Sequence, residues 1–148
     1  MSENLDRARK HRAGLRTTIG LVERSLSTAA HGRVAAWSAD LREELTKLSE
    51  ALDSHVQLSE AEEGLLADIE SSTPRLTHRV QKAREDHVVL RAACAKAIEA
   101  LPPGDGGDAG VEQARDRVVE LLTALVRHRH LGADLVYEAY NVDIEASD

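Results

Sequence analysis

Apolar residues recur at spacings of three and four along most of the chain, in four stretches covering roughly residues 3–29, 33–70, 74–101 and 111–142. That spacing places one apolar stripe on one side of an α-helix. The first stripe runs Leu5, Ala8, Arg12, Leu15, Ile19, Val22, Leu26. The second starts at Val34 and Trp37, continues through Leu41, Leu45, Leu48 and Leu52, and then reads His55, Ser59, Glu62, Leu66. The third reads Leu76, Val80, Ala83, His87, Leu90, Cys94, Ala97, Leu101. The fourth reads Val111, Ala114, Val118, Leu121, Leu125, His128, Gly132, Leu135, Ala139, Val142. No stretch alternates apolar and polar residues in the manner of a half-buried strand.

Three interruptions separate the stretches. Ala29-Ala30-His31-Gly32 reads as a short turn. Ser71-Ser72-Thr73-Pro74 reads as a helix start, with Thr73 as the cap and Pro74 at the first helical position. Residues 101–110, rich in Gly and Pro, form the longest loop, which should be exposed and mobile. Within the second stretch, Ser59-Glu60-Ala61-Glu62 reads as a capping box, so the helix can restart there. Four amphipathic helices joined by three short connections predict an all-α fold. The simplest arrangement that buries all four stripes is an antiparallel up-down-up-down four-helix bundle, a single domain over residues 1–148.

Composition sharpens this picture. There is no Phe, one Trp and two Tyr, so the interior must be built mainly of Leu, Val and Ala. The net charge of -7 and a pI near 5.5 oppose binding to nucleic acid or to an anionic membrane surface. No stretch is long and apolar enough to span a bilayer. The single cysteine, Cys94, excludes an intramolecular disulfide and suits a reducing compartment; with a polar N-terminus, the expected location is the cytoplasm.

The stripes are broken by histidine in three places. A buried imidazole needs partners for its ring nitrogens, so His55, His87 and His128 call for a common explanation. Counting outward from a turn near residue 72 sets His55 opposite residue 89, close to His87. Counting across 101–111 sets His87 opposite residue 125, close to His128. At about 1.5 Å of rise per residue, the three then fall within one helical turn of each other. His11, one place beside the first stripe, reaches the same level. Glu60 and Glu62 follow His55, and Asp134 follows His128 and His130. Neutral imidazoles with carboxylates from facing helices suit iron, manganese or zinc. His31, His78 and His130 fall off the stripes and read as turn or solvated residues. Glu138 reads as a surface ion-pair partner, and Cys94 as a small core filler.

Three segments resemble the hemerythrin-like (HHE cation-binding) family. They are His55-Val-Gln-Leu-Ser-Glu60, Glu85-Asp86-His87-Val-Val-Leu90 and His128-Arg-His130-Leu-Gly-Ala-Asp134, with His11 standing where the family has its first-helix histidine. The resemblance implies a non-haem di-iron centre in the bundle core, bridged by carboxylates and held mostly by histidines. It implies dioxygen or peroxide as a small ligand, and a role in oxygen binding, iron handling or redox sensing. The implied ligands are His11, His55, Glu60 or Glu62, His87, His128 and Asp134. Three spacings differ from the family pattern: Ser59 stands four residues after His55, Ala83 and Arg91 flank His87 at four residues, and Asp134 follows His128 by six.

Two other classes remain open from the sequence. A metal-free helical interaction module, or a homodimer, would use the buried histidines to set register or respond to pH. A di-iron oxidase or oxygenase would need an organic substrate, and the sequence names none.

Overall fold

A computed structural model describes residues 2–103 and 108–144 of the chain. Among these the fold is all-helical, with no strand. Four long helices, α1 (Ser2–Ser27), α2 (Val34–Glu60), α4 (Thr77–Glu99) and α5 (Ala109–Tyr140), are joined by a short α3 (Leu65–Ser72) and a single 3₁₀ turn (Pro74–Leu76). α1 packs on α2, α2 on α4, and α4 on α5.

The apolar stripes become the interior. Leu41, Leu45, Leu48 and Leu52 of α2 are fully buried, as are Leu121 and Val118 of α5 and Ala97 of α4. They form one large cluster with Val22 of α1 and Trp37 of α2. The Arg115 guanidinium lies over the Trp37 ring, 5.2 Å from its centroid, and donates to the carbonyls of Leu26 and Thr28. It thus satisfies carbonyls left over at the end of α1 while covering the indole. Ser38 Oγ donates to the Pro102 carbonyl at 2.7 Å, and His31 Nδ1 meets Asp108 Oδ2 at 2.9 Å. These contacts tie the 28–38 region to the start of α5.

Two smaller apolar clusters lie toward the other end. One gathers Leu66 and Ile69 of α3, Leu76, Val80 and Leu135. The second joins Leu5 of α1 to Val136 and Ile144. Asn4 Nδ2 donates to Asp68 and to the Glu63 carbonyl, fastening the start of α1 to this end.

Several expectations need correction. The second amphipathic stretch is two helices. α2 stops at Glu60, residues 61–64 turn, and α3 begins at Leu65. The reason lies at Gly64: a Cβ there would stand 2.6 Å from the Leu58 carbonyl oxygen, so only glycine lets the chain fold back this closely on the end of α2. The Ser59–Glu62 capping box does not form; Ser59 Oγ instead donates back to the Val56 carbonyl at 3.4 Å. Thr73 makes no side-chain cap. Its N–H closes α3 on the Ile69 carbonyl, and Pro74 opens the 3₁₀ turn. The 101–110 loop is not uniformly exposed, because Leu101 and Pro102 are buried; residues 104–107 lie outside the described part. α5 ends at Asn141, whose positive φ of 58° makes it a left-handed C-terminal cap.

Candidate metal centre

The interior is apolar on both sides of one polar layer. On α2 the layer lies one turn past Leu52, on α4 one turn before Leu90, and on α5 one turn past Leu125. Those three leucines belong to the large cluster, whereas Val80, Ile69 and Leu135 beyond the layer belong to a separate one. The layer is His55, His87 and His128. One ligating nitrogen from each lies within 4.8 Å of the others. Their rings meet edge to face, with centroids 5.2 Å (His55–His87), 5.8 Å (His55–His128) and 4.8 Å (His87–His128) apart. Three nitrogens on one tetrahedral ion at bond lengths near 2.0–2.1 Å stand roughly 3.3 Å apart, so small side-chain rotations complete the set.

Each imidazole has a distinct environment. His87 is 2 % exposed, and its Nδ1 lies 2.5 Å from Glu60 Oε2. A carboxylate only accepts, so Nδ1 of His87 donates. His128 Nδ1 lies 3.5 Å from Asp86 Oδ2, an ion-pair separation that is long for a hydrogen bond. Burial, reinforced by the nearby His87, His128, His11 and Arg12, lowers the pKa of His55 from 6.5 to about 3. Burial likewise lowers the pKa of His128, with His87 and Arg12 adding to the effect and Asp86 opposing it. Both are therefore neutral at physiological pH, the state in which imidazole ligates metal.

A cavity of about 80 Å³ adjoins the histidines. Leu58, Leu66, Ile69, Leu135 and Val136 supply much of its apolar wall, while His11 and Arg12 reach it from α1. That is room for several waters or one small molecule. Gly132 also borders it, and the group nearest to where its Cβ would be is the Arg12 guanidinium, at 3.8 Å. That is ordinary van der Waals contact, so the packing there does not demand glycine.

The residues expected at the site are placed as follows. His55, His87 and His128 converge. His11 lines the same cavity outside the converging group. Glu60, at the end of α2, engages His87. Glu62 in the 61–64 turn and Asp134 on α5 are exposed and do not line the cavity. Sequence reasoning did not single out Asp86 as part of the site. Its signal was its place next to His87, one helical step toward α5. Glu138 pairs with Arg75 at 3.4 Å, and His78 and His130 are exposed. Cys94 is buried in the large cluster, where desolvation raises its pKa.

The donor set fits a first-row transition metal: three imidazoles in a shielded interior, with carboxylates behind two of them. Compared with protein-family models, curated proteins and solved structures, the chain matches none. No helix among the described residues is long and apolar enough to cross a membrane.

Proposed function

We propose that this chain is a hemerythrin-like metal-binding protein, holding a first-row transition metal, iron foremost with zinc or manganese as alternatives, on His55, His87 and His128. The observation that carries this reading is the convergence of three imidazoles from three helices in a predominantly apolar interior. Burying three such groups without a ligand to share would be costly, and a common metal offsets that cost. The adjoining cavity suits a molecule the size of dioxygen or peroxide, in keeping with oxygen binding, iron handling or redox sensing. In this reading the four long helices run antiparallel, up-down-up-down. The contacts of Arg115 and His31 at one end and of Asn4 at the other support that order. The protein belongs to the cytoplasm in this reading, in keeping with its one buried cysteine.

The metal-free alternative has one observation in its favour. Val88 and Val89 of α4 stand 70 and 62 % exposed and border one surface groove with Ala92 and Ala93, apolar surface that a second copy can cover. One experiment separates the readings. Protein purified without chelator, and the His55→Leu, His87→Leu, His128→Leu triple variant, are analysed for metal and by sedimentation. The metal reading expects close to a full equivalent in the parent and none in the variant. Less than about half an equivalent in the parent, with no uptake on anaerobic loading with ferrous iron, would sink it. A dimer that persists in a metal-free parent and tightens in the variant would favour the interaction module.

A further inference from the structure

We propose that the site takes one metal ion, not two, and that Glu60 and Asp86 are positioning residues that hold His87 and His128 by Nδ1 and aim their Nε2 atoms at that ion. The proposal rests on the metal-binding reading above and departs from the carboxylate-bridged pair of irons that the family resemblance implies.

The donor arrangement is the first reason. Two ions held about 3.5–4 Å apart need carboxylates between them and further donors on the far ion. Among the described residues, the group able to hold a metal consists of the three histidines and no carboxylate. Of the acids that the resemblance would place between two irons, Glu62 and Asp134 are exposed and do not line the cavity, and Glu60 is engaged with Nδ1 of His87.

The second reason is where the nearby acids stand. Glu60 Oε2 accepts from Nδ1 of His87, whereas Nδ1 of His128 is buried without a hydrogen bond and has Asp86 Oδ2 3.5 Å away, the acid that a small rotation would bring onto it. The acid and its histidine come from different helices in each case: α2 to α4 for the first, α4 to α5 for the second. A proton on Nδ1 leaves the lone pair on Nε2, the nitrogen on the other side of the ring. Carboxylates placed behind ligating histidines in this way fix the tautomer and raise ligand basicity. An acid turned to bridge two metals would have to give up that contact and leave His87, the most buried of the three, without its partner.

The third reason is charge. Three imidazoles bring no negative charge to offset a divalent ion, and no carboxylate belongs to the converging group. A second cation would enter a cavity whose wall includes Arg12 and no acid. One ion with three protein nitrogens keeps a position open, and the about 80 Å³ cavity is where an outside ligand would approach it.

The test combines native mass spectrometry of zinc-loaded protein, nitrogen-15 NMR of its histidines, and competitive zinc titration of Glu60→Gln and Asp86→Asn. The expected result is one zinc per chain, with protonated Nδ1 and metal-bound Nε2 on His87 and His128. Each variant should still take one zinc, about 10–100-fold more weakly. Two zincs per chain, Nδ1 ligation, or unchanged affinity in both variants would overturn the proposal. The stoichiometry and ring assignments come from the parent protein, so the outcome does not depend on either variant folding. No zinc bound at any loading would overturn the metal-binding reading itself, and this proposal with it.

Discussion

His55 shows how a single side chain acquires its chemistry from its surroundings. In an exposed helix it would gain a proton near pH 6.5, whereas here burial and three neighbouring imidazoles hold its pKa near 3. His128 is displaced in the same direction. The unfolded chain therefore binds protons below pH 6.5 that the folded chain refuses, and stability must fall as pH falls. We predict that metal-free protein keeps full stability above pH 6.5 and loses it progressively between pH 6.5 and about 3, with urea midpoints dropping across that window. A flat profile from pH 7 to 4 would show that these rings are solvated.

At the scale of elements, the decisive event is the break between α2 and α3. A continuous helix from 33 to 70 would carry Ser59, Glu62 and Leu66 along the stripe started by Leu52 and His55. Instead α2 ends at Glu60, which leaves that acid at a helix terminus beside His87 and sends α3 back to close the cavity with Leu66 and Ile69. Gly64 makes this turn possible, because a side chain there would collide with the Leu58 carbonyl. Gly64→Ala should cost about 1–3 kcal/mol in chemical denaturation, as overpacking does. It should also weaken zinc binding, since the turn sets the direction in which α2 presents Glu60. A variant with parental stability and affinity would show that the turn has slack.

For the molecule as a whole, the histidine layer splits the interior into a large aliphatic cluster and two smaller ones. The ends of α1, α3 and α5 meet around the smaller clusters. A metal on that layer would bridge α2, α4 and α5. Ligand that binds only the folded state stabilises it by about 2.7 kcal/mol at a hundredfold excess over Kd. Zinc-loaded protein should therefore melt several degrees above the same protein after chelation, and the triple leucine variant should show no difference between the two conditions.

Much of this was legible in the chain. Helical stripes are local: a spacing of three and four on a rigid 3.6-residue repeat shows which side of each helix is buried, and the interior contains Leu41, Leu45, Val118, Leu121 and Leu125 as that spacing requires. The level of His55, His87 and His128 was legible for the same reason, since helix rise and turn position set depth. The acids were not. Whether Glu60, Glu62, Asp86 or Asp134 meets a histidine depends on side-chain direction across a gap between helices, and on where α2 stops. That stop was set by the close approach at Gly64, a contact between the 61–64 turn and the end of α2 that spacing does not encode. The chain by itself determined the helical stripes and the depth of the histidines, because both follow from backbone periodicity. Tertiary structure decided which carboxylates stand behind which imidazoles, because that depends on packing between elements distant in sequence.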